Sequence, residues 1–597
     1  MPVYKAPLRD INFCAKELFG TDQIRELPGC EEITDDLFDA VLTEAARFCE
    51  NELQPINQSG DLEGCHWDNG KVTTPKGFKE AYNKFVEGGW PSLAADPKYG
   101  GQGLPDSLQV FTEEMVCAAN ISFGLYPGLT RGASILLHSH GSDELKDKYL
   151  PKMTDGTWGG SMCLTEPHCG TDLGLIRTKA IPQQDGTYKV SGTKIYISSG
   201  EHDLTENIIH FVLAKIPDGP KGIKGVSLFL VPKIKVDDAG NLTDENGVSC
   251  ASIEHKMGIK ASATCVMNFE DSEGYLVGEL HHGVSNMFVM MNTERLGVGN
   301  QGLGVGEAAY QNALAFARDR LQGRSLTGTK YPDKPADPII VHPDIRRTLL
   351  TMKAYNEGNR MLSAWVALQL DKSHRAEDPQ VKQDASDLVQ LLTPIVKAFF
   401  TDCGHEVANH AIQILGGGGY LQDYGVEQFA RDARIAQIYE GTNGIQALDF
   451  VGRKLPAYTG RYLRQFFHPV LAFIEEHQDS DVLKDYLPLL QKNVARLQQT
   501  TSILALKAMG NPDEAGAASV DYLRLFALTV LAYLWAQAVL VATPKKDGEE
   551  AAFYQGKLET ARFFYTKLLT QTSSLFANIM GGADPLMTIN DESFGPF

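Results

Sequence analysis

Between residues 160 and 285 the periodicity of this chain changes, and that change restricts the fold more than any other feature. Runs of Val, Ile, Thr and Phe alternate there with Gly, Asp, Asn and Pro: Tyr188 to Gly192, Ile208 to Ala214, Val226 to Val231. Short β-branched and aromatic runs cut by turn formers point to antiparallel strands in a small barrel or sandwich. On both sides the apolar spacing is helical. Leu37, Val41, Leu42, Ala45 and Phe48 mark one helix. Thr74 to Val86 reads as another, with Pro75 in its first turn. Further helical stretches run from Asp106 to about Asn120 and from Leu129 to Leu137, after a glycine-rich break at Asp96 to Gly103. Helical spacing returns near Val284 and continues to about Lys454, with residues 323–338 as a loop. The chain is therefore expected to be mainly α with a small central β domain. Its parts are an N-terminal helical domain (1–158), a middle β domain (159–285), a helical bundle (286–455) and an additional C-terminal helical domain (456–597).

Composition narrows the function. With 597 residues, 43% apolar and 22% charged, the chain has material for several large cores. A net charge of −20 argues against nucleic acid as a partner. Ten cysteines without CxxC pairing imply reduced thiols, with neither a disulfide framework nor a metal site. The start, Met1 to Asp10, lacks the pattern of a secretory signal or an Arg-rich presequence, so a bacterial cytoplasm is the expected location. Leu525 to Thr543 carries no charge and is long enough to cross a membrane. Its alanines, Thr529 and Gln537 suit a helix buried inside a bundle as well, and no transmembrane segment is expected. Gly297, Gly299, Gly302, Gly304 and Gly306 follow no strand, which favours tight helix packing over a phosphate loop.

The stretch richest in chemistry is Arg431 to Gly444. Glu440 stands there between Ile438-Tyr439 and the turn Gly441-Thr442-Asn443-Gly444. A carboxylate beside apolar and aromatic side chains is poorly solvated, which raises its pKa toward that of a working base. Gly441 allows backbone N–H groups to approach a ligand. An acidic residue before a turn also fits a plain helix end. Upstream, Gln413-Ile414-Leu415-Gly416-Gly417-Gly418-Gly419-Tyr420 carries more glycine than a helix C-cap requires, which favours close backbone approach to a ligand. Met162 to Asp172 reads as a strand running into a Pro-Gly turn, and Lys194 to Gly200 as an alternating strand.

Taken together and in this order, Met162 to Asp172, Lys194 to Gly200, Gln413 to Tyr420 and Ile438 to Asn443 resemble the signatures of the flavin-dependent acyl-CoA dehydrogenases. The resemblance covers about residues 30–455. It implies the fold of that family, a helical domain, a β-barrel and a helical bundle, and a cofactor, FAD. The first segment matches the family's flavin segment, so Met162, Leu164 and Thr165 are implied as flavin contacts and Thr171 as a contact of the substrate arm. Met162 departs from the usual aromatic, and His168-Cys169 from a Gly-Ala type pair; His168 reads as a turn residue. Tyr196 takes the place of an aromatic, usually Trp, that covers one face of the isoalloxazine, and Ser198 that of a hydroxyl near N5. Gln413, Gly416 and Gly417 are implied as contacts of the adenosine half of FAD in the neighbouring subunit, with Arg320 and Gln322. Thr442 is implied at the pyrophosphate, and Asn292, Arg295 and Tyr439 near the substrate. Asn292 and Arg295 also fit a helix surface.

The resemblance implies that Glu440 is the base that removes the α-proton of an acyl-CoA thioester as a hydride leaves the β-carbon, giving the trans-2-enoyl-CoA. The length and the segment 456–597 resemble a larger subgroup of the family. That subgroup includes 3-methylmercaptopropionyl-CoA dehydrogenases and broad-range fatty acyl-CoA dehydrogenases. It implies a homodimer, with an electron-transferring flavoprotein as the electron acceptor. The substrate expected is a medium-to-long straight-chain acyl-CoA of fatty-acid β-oxidation, the alternative 3-methylmercaptopropionyl-CoA. An acyl-CoA oxidase is the competing enzyme, and a non-catalytic acyl-CoA- or flavin-binding protein the competing reading of another class.

Overall fold

The computed structural model describes residues 2–595. Spatial proximity along the backbone divides the chain into two compact units, Glu44–Gly297 and Met1–Thr43 with Val298–Phe597. The first segment expected from sequence, 1–158, is thus divided after Thr43.

In the unit Glu44–Gly297, seven strands form one sheet: β1 (Trp158–Cys163), β2 (Lys179–Pro182), β3 (Tyr188–Ser198), β4 (Asn207–Lys215), β5 (Val226–Pro232), β6 (Val248–Ile253) and β7 (Thr264–Leu276). Their order is β6-β7-β3-β2-β4-β1, and β5 pairs with both β7 and β4, so five strands close on themselves as a small barrel. The expectation of antiparallel strands fails at two pairings. β1 runs parallel to β4, with Trp158 opposite Asn207 and Cys163 opposite Val212, and β2 meets β4 in parallel at Lys179 and Lys215. The cause lies in β4 itself. Asn207 to Ala214 is buried throughout, as a strand with parallel neighbours and both faces covered must be.

The helical stretches of this unit form a hairpin. Helix α1 (Asp106–His140) breaks at Asn120, whose φ of −162° and ψ of 90° are not helical. The Asn120 Oδ1 accepts from the Phe123 N–H at 3.0 Å and so caps the second arm. That arm therefore starts at residue 121 rather than at Leu129. The ion pair of Glu113 and Arg131, at 2.7 Å, shows that the two arms lie side by side. Pro75 is not in a first turn either. Lys71–Thr73 pairs with His66–Asp68 as a small β-ribbon, Thr74 is tied to Asp203, and the helix begins at Phe78 behind Gly77. β-branched Val72, Thr73 and Thr74 favour the extended form over a helical start.

The other unit is helical. It contains the greater part of α2 (Gly283–Asp319), then α3 (Pro343–Arg375), α4 (Pro379–Leu415), α5 (Val426–Ala436), α6 (Asn443–Asp449), α7 (Arg461–Glu476), α8 (Leu487–Gly510), α9 (Pro512–Ala542), α10 (Ala551–Phe563) and α11 (Gln571–Gly581). The glycines of α2 do not interrupt it; they let α4 cross closely. A Cβ on Gly404 would lie 2.2 Å from the Gly302 carbonyl oxygen, and one on Gly299 2.5 Å from a Val396 methyl. The apolar helix α9 is long and apolar enough to cross a membrane, yet its apolar stretch is mostly buried inside the protein. Trp535 is fully enclosed, and Arg524 donates to the Tyr355 hydroxyl. It is packed as the central helix of its own bundle.

Candidate active site

The residues implicated from sequence lie in both units, and each unit builds its share separately. In the helical unit, α5 ends at Ala436 and the chain turns through Gln437 to Thr442 into α6. Glu440 has a φ of +55° and Gly441 one of +79°. Gly441 adopts this left-handed form freely, whereas Glu440 is strained in it. Side chains hold the turn. The Gln446 amide donates to the Glu440 carbonyl at 3.0 Å and to that of Gly441 at 3.2 Å. The Lys397 ammonium donates to the Gly441 carbonyl and to Asn443 Oδ1, both at 2.8 Å. Asn443 donates to Asp402 at 2.7 Å, and Gln437 to the same carboxylate oxygen at 2.7 Å. Lys397 and Gln446 are fully buried. Strain of this kind persists only where the surroundings over-determine it, and it concentrates at functional sites.

Glu440 itself is half-buried, as is Tyr439, whose hydroxyl donates to Gln301. The expected apolar enclosure is incomplete, because Ile438 is 46% exposed at the tight helix end. Thr442 caps α6, its hydroxyl oxygen accepting from the Ile445 N–H at 3.3 Å, and is otherwise exposed.

The glycine run after α4 divides by role. Gly416, with φ +60°, terminates the helix. Gly419 packs so closely that a Cβ would lie 2.5 Å from the Ile412 carbonyl oxygen. Gly417 serves neither purpose, and around both Gly416 and Gly417 a Cβ would meet nothing within 4 Å. Such open backbone suits close approach by a ligand. Gln413, Arg320 and Gln322 are exposed. The Arg320 carbonyl accepts from the Ile339 N–H, the Gln322 N–H donates to the Asp337 carbonyl, and the His342 ring lies 2.8 Å from the Gln322 carbonyl, so bonds to the backbone of both residues fix them. Arg324 has a different task, because it donates to the Tyr331 and Lys334 carbonyls and pairs with Asp337. Burial would raise the Asp337 pKa, but backbone N–H groups and Arg324 hold it at about 2.

In the β-containing unit, Met162, Leu164 and Thr165 leave β1 half-buried. The Thr165 carbonyl accepts from the Ile195 N–H at 2.9 Å, which brings this segment beside β3 and hence beside Tyr196 and Ser198. A bulge interrupts the expected alternation there, since Cys265 pairs with Ile197 but Met267 with Lys194. Tyr196 lies in the bulge with φ +59° and is 62% exposed. A bulky residue at positive φ is an outlier, and here it presents an aromatic ring outside the sheet. An exposed aromatic ring beside the half-buried Thr165 fits the face and edge of a flavin ring.

Sequence reasoning missed the clamp of this segment. Lys194, fully buried, donates to Glu166 at 2.9 Å and to the Leu164 carbonyl at 3.0 Å. Burial would raise the Glu166 pKa, but Lys194 and bonds from Thr178 and Arg177 hold it at about 2. The alternation placed Lys194 on a strand face next to buried positions, and a buried cation needs an anion. Lys397, a cation inside the apolar stretch Thr393 to Phe400, gave the same kind of signal. Ligand atoms of Glu166, His168 and Cys169 lie within 4.8 Å of one another. The carboxylate is committed to Lys194 and Thr178, and His168 contacts the Leu175 carbonyl at 2.9 Å, as a turn residue would. Thr171 is exposed, and Asn292 is half-buried. Arg295 is only 3% exposed, so the helix-surface reading fails for it.

Comparison with known proteins defines the class. The acyl-CoA dehydrogenase N-terminal, middle and C-terminal domains match residues 37–157, 161–272 and 281–455. A domain described as acetyl-CoA dehydrogenase C-terminal like matches residues 466–590. The chain belongs to the acyl-CoA dehydrogenase family. It is 41% identical to the 3-methylmercaptopropionyl-CoA dehydrogenase of Ruegeria pomeroyi, over 98% of this chain and 99% of that protein. It is 33% identical to the broad-specificity linear acyl-CoA dehydrogenase FadE5 of Mycobacterium tuberculosis, over the whole of both. Among solved structures, Caenorhabditis elegans ACDH-11 in complex with C11-CoA shares the fold, with a TM-score of 0.75, 20% identity, and coverage of 95% of this chain and 92% of that one.

Proposed function

We propose that this acyl-CoA dehydrogenase oxidises a short, unbranched acyl-CoA thioester to its trans-2-enoyl-CoA, with Glu440 as the base. The observation that carries the reading is the strained Glu440–Gly441 turn, held by buried side chains although strain gives the fold nothing. The cofactor is FAD, which when bound supplies the two-electron oxidising centre that accepts the β-hydrogen with its bonding electrons. Glu440 accepts the α-proton, so proton and hydride leave adjacent carbons and a double bond forms between them. The Glu440 backbone N–H donates to the thioester oxygen as charge develops there. Tyr196 would cover the flavin ring, with Met162, Leu164, Thr165 and Ser198 at its polar edge. Thr442 would hold the pyrophosphate. Arg320, Gln322, Gln413, Gly416 and Gly417 would hold the adenosine half in the partner subunit of a homodimer. Thr171, Asn292, Arg295 and Tyr439 line the path of the substrate. An electron-transferring flavoprotein in the bacterial cytoplasm reoxidises the enzyme.

The chain-length preference expected from sequence, medium to long, has no particular residue behind it. The relative at 41% identity is named for a short thioether-bearing acyl group, which favours a short substrate. The second reading, a broad range of linear chains in fatty-acid β-oxidation, rests on the relative at 33%. Anaerobic turnover of butanoyl-, octanoyl-, palmitoyl- and 3-methylmercaptopropionyl-CoA separates the two. A short pocket gives kcat/KM highest for the two short substrates and falling beyond them. A rise through palmitoyl-CoA, with up to about fourfold per methylene from ~0.8 kcal/mol of burial, overturns it in favour of the broad reading. Admitting air afterwards tests the oxidase alternative, since fast peroxide release contradicts a dehydrogenase.

A further inference from the structure

The reading of Glu440 as the base leaves open what aims its carboxylate. Glu440, at φ +55°, stands in the turn between an 11-residue helix and a 7-residue one, and the Asn443 N–H closes that turn on the Gln437 carbonyl at 3.0 Å. Two buried side chains hold the same turn. Lys397 projects from α4 and places one ammonium between the Gly441 carbonyl and Asn443 Oδ1. Gln446 reaches back from α6 and divides its amide N–H groups between the Glu440 and Gly441 carbonyls. Its own Oε1 is buried without a hydrogen-bond partner. An apolar core would avoid that cost, and burying a lysine costs more. One buried charge and one buried amide thus converge on the carbonyls of the two left-handed residues.

We infer that Lys397 and Gln446 are positioning residues for the catalytic base. By holding the Glu440 and Gly441 carbonyls they fix the backbone on which the carboxylate is aimed at the substrate α-carbon. The inference rests on Glu440 being the base. Displacement of a reacting group by about 1 Å costs about 10²-fold in rate, so loss of the clamp should act on proton abstraction and not on binding.

The test is Lys397→Met in the flavin-loaded holoenzyme, compared with wild type on protiated and α,α-dideuterated substrate. Expected is a fall in kcat of about 10–10²-fold per bound flavin, with KM within about threefold and a larger α-deuterium isotope effect on kcat. A purely structural role lowers the flavin-loaded fraction or the melting temperature and leaves the isotope effect per active site unchanged; that result overturns the inference. Should Lys397→Met retain no flavin, Gln446→Met replaces the other donor by a side chain of similar size and removes the unsatisfied Oε1. It must raise the isotope effect in the same way, and a wild-type value there overturns the clamp. Glu440→Gln, measured alongside, separates the two layers. If it turns over normally, the base assignment has failed; if it is inactive while both clamp variants behave as wild type, the clamp alone has failed.

Discussion

Tyr196 holds a backbone conformation that costs a bulky side chain about 1–2 kcal/mol, and glycine would relieve it. Glycine in a strand loses a comparable amount, about 0.5–1 kcal/mol, through chain entropy. Tyr196→Gly should therefore leave the stability of the flavin-free protein within about 1 kcal/mol of wild type. Loss of ring stacking, worth about 0.5–1.5 kcal/mol, should weaken flavin binding about two- to tenfold. Flavin titration and denaturant unfolding measure the two effects. Unchanged flavin affinity with a large loss of stability would make Tyr196 a structural residue. At this scale the family was legible, because the types and order of Thr165, Tyr196, Gln413 and Glu440 carry the resemblance. Their conformations were not. Positive φ at Tyr196 goes with a bulge against β7, and the turn at Glu440 and Gly441 is held in part by Lys397, both distant in sequence. The exposure of Ile438 and the burial of Arg295 likewise follow from tertiary packing.

Strand β4 and the turn before it carry two buried histidines that tie this element to pH. The Ser161 hydroxyl lies 2.7 Å from His210 Nδ1, Cys163 is nearby, and the Phe269 ring stands edge-on to the imidazole at 5.8 Å. His202 Nδ1 accepts from the Leu204 N–H at 3.2 Å, with the Tyr126 ring at 5.0 Å. Burial first, and Lys233 second, push each histidine down to about 3. Unfolded histidine titrates near 6.5, so between these values unfolding takes up protons and stability falls as pH falls. Each histidine contributes a slope of about 1.4 kcal/mol per pH unit. His210→Gln should remove about 1.4 kcal/mol per unit from the acid slope of unfolding between pH 6 and 5. An unchanged slope would show that His210 is protonated in the folded protein. The strands themselves were readable as elements, since their β-branched runs are local. Their parallel pairing was not, because the register of β1 with β4 depends on a connection that alternation says nothing about. The kink at Asn120 shows the same limit, its two arms being visible and their fold-back not.

At the scale of the helical unit, the N-terminal segment, α2, α3 and α10 meet around buried charges. Asp10 pairs with Lys557 and Arg360, Arg360 with Glu307 at 2.9 Å, and Lys557 with Glu357 at 3.0 Å, while Lys353 pairs with Glu357. Three acids thus face three bases, and the set is neutral overall. Removing one partner leaves an uncompensated buried charge, so Lys557→Met should cost about 3–5 kcal/mol in equilibrium unfolding. A loss below about 1 kcal/mol would show that the network tolerates an odd charge. Sequence could not reveal this network, whose members span Asp10 to Lys557, whereas the alternation of helical and strand textures made the overall architecture plain. Glu440→Gln in the FAD-loaded enzyme tests Glu440 as the base of acyl-CoA dehydrogenation. This variant should bind flavin and acyl-CoA like wild type while turnover falls by about 10²–10⁴-fold or more. Wild-type turnover by Glu440→Gln would contradict it.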